Sequence, residues 1–196
     1  LLPDQAPAPP WHEPPDVLVL SIQPEITHTL WRHERSGRLV SAPPGWEQDW
    51  TPAQRTAFLQ RFYPLGLMDA DQFKARTVQL IRAIKALGGP HILAFNCSTF
   101  DPRDQAHNYH GLGDTLSVRI QRFNLALMQI SAQEGISIIE VDRILAELGG
   151  EWHVLACLSY SPEAYRYIRE EVLRVLDDIG FFERRPLIRQ IGQRGS

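Results

Sequence analysis

An α/β domain with a parallel, helix-covered sheet is what this sequence predicts, on three observations. Two short runs, Asp16–Ile22 and His91–Asn96, are apolar on both faces, as strands buried on two sides must be. Long amphipathic stretches separate them. Pairs of glycines, Gly88-Gly89 and Gly149-Gly150, close helical patterns where an open sheet turns its chain.

Leu1 to Pro15 is proline-rich and reads as an extended linker. Asp16–Ile22 is the first strand. Thr27–Trp50 carries Trp31, Trp46 and Trp50 among charges and prolines; it reads as a long excursion with a short helix near Thr29–Arg35. Two roles are open for it: a lid or part of a pocket, or a loop whose tryptophans anchor on the core. Thr51-Pro52 is a cap-plus-proline start for a helix to about Phe62. Asp69 or Asp71 opens a longer helix with Phe73, Leu80, Ile81, Ile84 and Leu87 on one side. After the strand His91–Asn96 comes a polar loop, Cys97–Gly113. Asp114 is read as the cap of a helix burying Leu116, Ile120, Phe123, Leu127 and Ile130. Ile136–Val141 is a third strand and Asp142–Leu148 a short helix. The expected organisation is therefore a linker over 1–15, one domain over 16–183 and a tail over 184–196. Phe181 and Phe182 are expected to fold back on the core.

Composition removes several function classes. Net charge is -3, so no broad attraction to nucleic acid or anionic membrane is expected. Arg166, Arg169 and Arg174 alternate with Glu170, Glu171 and Asp177, the pattern of a solvated helix face. Two cysteines, Cys97 and Cys157, make no disulfide framework. No apolar run has the length of a membrane helix, and no signal-peptide pattern or initiator Met is present. The expectation is a cytoplasmic domain whose N-terminal neighbour lies outside this chain. No cofactor motif is present.

The stretch Leu155–Ile168 carries the most chemistry. Ser161 is a natural N-cap, Pro162 suits the first turn, and Tyr165, Ile168, Val172, Leu176 and Ile179 repeat at helical spacing. Ser161-Pro-Glu-Ala-Tyr165 resembles the last block of the SGNH-hydrolase superfamily, the GDSL esterases and lipases, which reads roughly Asp-x-x-His-x-Ser-Pro-x-x-Tyr. The layout from Asp16 to Ile179 is similar too. The resemblance implies a three-layer α/β/α fold with a flavodoxin-like sheet, whose N-terminal strands are absent from this chain. It also implies where catalytic groups would stand, and they are altered. Ala156 takes the place of the Asp and Ser159 that of the His. Gln23 and Glu25 occupy the Gly and Asn of the Gly-x-Asn-Asp block. An ionised Glu25 would oppose a developing oxyanion that an amide would stabilise. Gly113-Asp-Thr-Leu116 imitates a nucleophile block, but it follows a polar loop and opens a helix, so it reads as a cap.

The implied function is a non-hydrolytic ligand- or partner-binding module, with Gln23, Glu25, Asn96, Cys97 and Ser159 as candidate pocket rim. The alternative is a serine ester hydrolase, deacetylase or acyltransferase whose nucleophile lies upstream and whose base would be His107 or His110. A small-molecule ligand fits either. With two family strands missing, the apolar strand Asp16–Ile22 would stand at an open edge and seek a protein partner or a second copy. Two further readings stay open: a metal at His107, His110, Asp101 and Asp104, and a Cys97 nucleophile against a buried structural thiol. His153 reads as a strand-end packing residue.

Overall fold

The computed structural model describes residues 15–99, 111–156 and 159–184. The linker before Pro15, the His107 loop, Cys157 and the tail beyond Arg184 lie outside them.

Three strands, β1 (Val17–Ser21), β5 (His91–Phe95) and β6 (Ser137–Ile139), form a parallel sheet in the order β1-β5-β6. The pleat of the central strand explains the apolar run. Ile92 and Ala94 enter one hydrophobic cluster, Leu93 and Phe95 the other. The first cluster is closed by α3 (Ala70–Ala86) and α4 (Leu116–Glu134), through Phe73, Val78, Ile81, Ile84, Ile120, Phe123 and Leu127. The second is closed by α5 (Val141–Leu148) and α7 (Pro162–Asp178), through Ile144, Leu145, Ala164, Ile168 and Val175. The fold is thus mixed α/β, with helices packed on both faces of the parallel sheet. β1 pairs only with β5 among the described residues, and Val19 on it is 49% exposed.

The helix ends follow local chemistry. Asp69 caps α3 by accepting from the Gln72 amide at 2.7 Å, and Ser161 caps α7 through the Ala164 amide at 3.1 Å. Gly135 closes α4 at φ 62°, a left-handed conformation that costs a residue with a Cβ. The cap of α4 is Thr115, not Asp114. Thr115 has the extended backbone of an N-cap and accepts from Val118, while Asp114 is drawn into an ion pair with Arg122. In α3 the buried stripe runs through Val78 and Ile81, leaving Leu80 and Leu87 at its outer edge and exposed.

The excursion departs most from expectation. It forms a second, antiparallel sheet in the order β3-β2-β4, from β2 (Thr29–His33), β3 (Leu39–Ala42) and β4 (Phe62–Leu67). The residues expected to be a helix near Thr29–Arg35 are therefore largely a strand. Thr29-Leu-Trp-Arg-His33 holds β-branched and aromatic residues and gains two strand neighbours, which local periodicity does not reveal. The helix α2 (Pro52–Leu59) opens on a capping box between Thr51 and Gln54 and stops before Phe62, which starts β4. The tryptophans join neither hydrophobic cluster of the main core. Trp31, Trp46, Trp50, Phe58 and Phe62 pack on one another, with ring centroids 4.4–6.1 Å apart.

The excursion is fastened by one buried side chain. Arg119 on α4 is 6% exposed. Its Nε donates to the Ile26 carbonyl at 2.7 Å, and Nη2 to the Met68 carbonyl at 2.5 Å and the Glu25 carbonyl at 3.4 Å. Glu25 and Ile26 belong to the last turn of α1 (Gln23–Thr27), whose carbonyls lack helical partners. Met68 follows β4. Arg119 therefore joins the start and the end of the excursion, with its guanidinium 4.6 Å from the centre of the Phe123 ring.

The last motif is shorter in strand and richer in helix than expected. Gly149 turns the chain at φ 82° into α6 (Gly150–His153), so His153 ends a helix and not a strand. β7 (Val154–Ala156) and β8 (Ser159–Tyr160) make a small antiparallel pair that leads into α7. The third strand is three residues long, Ser137–Ile139, because Val141 already belongs to α5. Phe182, in α8 (Phe181–Arg184), is buried.

Candidate functional site

A crevice of about 210 Å³ opens where β1 and β5 end. Ser21, Gln23, Phe95, Asn96, Cys97, Val141, Tyr160, Tyr165 and Ile168 line it. Open α/β sheets bind ligands at the carboxyl ends of their strands, where helix starts and loops converge.

The floor is the segment after β5. The backbone N–H of Asn96 donates to the Ile139 carbonyl at 3.2 Å. Its side-chain Oδ1 accepts from the backbone of Asp142 at 3.1 Å, so Asn96 serves as a cap for α5, whose own cap position Glu140 makes no side-chain bond. Asp142 in turn accepts from the amide and the hydroxyl of Thr99, at 2.6 and 2.9 Å. The Asn124 side chain clamps Cys97 on both sides, accepting from its N–H at 3.1 Å and donating to its carbonyl at 2.7 Å. These bonds satisfy the polar backbone of a loop that runs under the surface, and they hold the Cys97 side chain at 3% exposure.

The opposite walls are apolar. Tyr160 and Tyr165 lie with ring centroids 6.0 Å apart, and Val141 and Ile168 are buried beneath them. At the β1 side the Ser21 hydroxyl accepts from the Gln23 amide at 3.3 Å.

Of the five residues expected on a pocket rim, Gln23, Asn96 and Cys97 line this crevice. Glu25 and Ser159 are not in its lining. Burial raises the Glu25 carboxyl above the usual carboxylate range, and the charge of Arg76 on α3 counteracts that. Ser159 is exposed on β8 opposite Ala156. The lining residues that sequence reasoning missed are Ser21, Phe95, Val141, Tyr160, Tyr165 and Ile168; Ser21 and Phe95 each end a strand, and that position alone could have marked them. Arg119 was missed too. Its signal was a charge at i+3 from Leu116 and i-4 from Phe123, on a stripe otherwise apolar.

Three imidazoles meet serine hydroxyls among the described residues: His28 with Ser41 at 3.0 Å, His33 with Ser36 at 2.9 Å, and His153 with Ser161. His153 Nδ1 lies 2.7 Å from Ser161 Oγ, the pairing by which a base activates a serine. Here the same oxygen accepts from Ala164 as the cap of α7, and the Ser161 amide donates to the His153 carbonyl at 2.8 Å. Neither residue lines the crevice. The pair ties α6 to the start of α7.

No protein-family model matches the chain, and no curated protein matches it. Among the described residues no group of three or more His, Cys, Asp or Glu side chains is placed to hold a metal. The His107 loop lies outside those residues. No helix among them is long and apolar enough to cross a membrane.

Proposed function

We propose that this chain is an SGNH-hydrolase-like domain that acts as a binding module for a small, mainly apolar ligand, without hydrolysis. One observation carries the proposal. The crevice sits at the strand ends, its lining is chiefly apolar, and its Asn96 and Ser21 oxygens already accept backbone hydrogen bonds, with no imidazole in the lining among the described residues. Such a pocket offers burial and shape to a ligand but no proton acceptor of the kind acyl transfer needs. Ala156 and Ser159 at the positions of the family's Asp and His agree with that. The parallel sheet covered by helices and the Ser161-Pro162 start of α7 support the likeness.

The test has two arms. Hydrolysis of p-nitrophenyl acetate is measured with the full chain. Binding of short-chain fatty acids, acetate to octanoate, is followed by NMR of the Val141 and Ile168 methyl groups. Saturable methyl shifts without turnover are expected. Turnover abolished by a serine-directed inhibitor would defeat the binding-module reading.

A second reading is favoured by β1. This strand has one described neighbour, Val19 is half exposed, and Ser21 at its carboxyl end borders the crevice. A strand from another polypeptide or a second copy, added to that edge, would end beside Gln23 and could bring a serine nucleophile. His107 or His110 would then have to supply the base. A solution mass above that of the monomer, lost on Val19→Lys, is the outcome expected if the edge is paired.

A further inference from the structure

Six of the described arginines are held by carboxylates or carbonyls. Arg55, Arg82, Arg122, Arg143 and Arg174 each hold a carboxylate, and Arg119 is taken up by carbonyls. The β2–β3 hairpin gathers several of the others in one place. It carries Arg32, Arg35 and Arg38, and the junction of α2 with β4 adds Arg61. None of the four makes an ion pair among the described residues. A depression of about 460 Å³ lies there, lined by His33, Glu34, Arg35, Gln60 and Arg61. It shares no lining residue with the crevice.

Its backbone and the His33 ring are held in place. The Glu34 amide donates to the Arg61 carbonyl at 2.8 Å, which joins the turn to the helix-strand junction. The His33 ring lies edge-on to Phe62 at 4.9 Å. Its Nδ1 receives the Ser36 amide at 3.1 Å and contacts the Ser36 hydroxyl at 2.9 Å. A backbone amide can only donate, so Nδ1 is the acceptor and the ring proton sits on Nε2. The depression is thus bordered by two guanidiniums, an imidazole N–H and a carboxamide. Those donors suit a tetrahedral oxyanion, and paired guanidiniums suit phosphate above all. Glu34 is the one opposing charge in the lining. In a chain of net charge -3 this local excess of cations runs against the bulk.

We propose that this depression binds a phosphate group, through Arg35, Arg61, His33 and Gln60, with Glu34 weakening the affinity. The probe is inorganic phosphate, titrated calorimetrically into the full chain at low ionic strength against matched chloride. Arg35→Gln and Arg61→Gln are each expected to weaken binding about fivefold, the scale of an exposed charge contact at low salt. Glu34→Gln is expected to tighten it about threefold, a gain that misfolding does not produce. Arg169→Gln, on the exposed face of α7, is the control and leaves affinity unchanged. All four side chains are exposed, and circular dichroism checks that each variant folds. No phosphate binding below roughly 10 mM would overturn the proposal. So would an equal loss in Arg169→Gln, or no gain in Glu34→Gln.

Discussion

Replacing Arg119 by methionine removes the fastening of the excursion while keeping a long apolar side chain against Phe123. The magnitude follows from the hydrogen bonds that disappear with the guanidinium. Two of the three are short, to Ile26 and Met68 at 2.7 and 2.5 Å, and both carbonyls lie in the interior. A hydrogen bond from a charged donor is worth about 1.5–3 kcal/mol net, and each orphaned buried carbonyl costs about 1–3 kcal/mol. Against this, methionine no longer has to hold a charge out of water, which returns part of the loss. The expected destabilisation is about 3 kcal/mol, a large share of the roughly 5–15 kcal/mol that a domain has. Lysine in its place keeps the charge but cannot reach both ends of the excursion, so Arg119→Lys should fall between the parent and the methionine variant. Urea unfolding measures the total. Native-state hydrogen exchange shows where it falls: amides of β2, β3 and β4 should lose protection before those of β5. A loss below about 1 kcal/mol, or an even loss of protection over both sheets, would refute the clasp.

Three further outcomes follow from single side chains. Ser161→Ala removes both the α7 cap and the His153 bond, and a loss of about 1–2 kcal/mol in urea unfolding is expected, with Ser161→Asp retaining most of the stability. Asn124→Ala takes away the side chain that holds both backbone groups of Cys97, so the thiol should react with a disulfide reagent many times faster than in the parent, and urea unfolding should show a loss of about 2 kcal/mol. Glu25→Gln should change the pH dependence of stability. Burial raises this carboxyl, so the folded state holds the proton more tightly than the unfolded chain does, and stability falls as pH rises from the ordinary glutamate range through the raised folded value. The variant should therefore melt higher than the parent near pH 7 and equal it at roughly pH 3, below both values. A constant difference across that range would remove Glu25 as the cause.

The helices of eight residues or more were legible because their signals are local. Asp69, Thr51 and Ser161 sit within three residues of the amides they cap, and the apolar stripe of α4 repeats over its own turns. The central strand His91–Phe95 was legible because burial on two faces leaves no polar position after His91. The crevice was half legible. Gln23, Asn96 and Cys97 follow strands whose ends could be read, whereas Glu25 is one step further around α1 and Ser159 pairs across a short β turn. The excursion was not legible. Thr29–His33 becomes a strand only through Leu39–Ala42 and Phe62–Leu67, and its aromatic side chains find each other rather than the main core.

By itself the sequence determined the class of the fold, the order of most helices and the apolar faces of the central sheet, since capping, glycine turns and periodicity act within one or two helical turns. Tertiary structure decided the second sheet, the union of Ile26, Met68 and Arg119, and the meeting of Tyr160 and Tyr165 with the ends of β1 and β5. Those arrangements depend on groups far apart in the chain, 93 residues in the case of Ile26 and Arg119. A contact at that distance leaves no period in the sequence, because its geometry exists only once the intervening elements have packed.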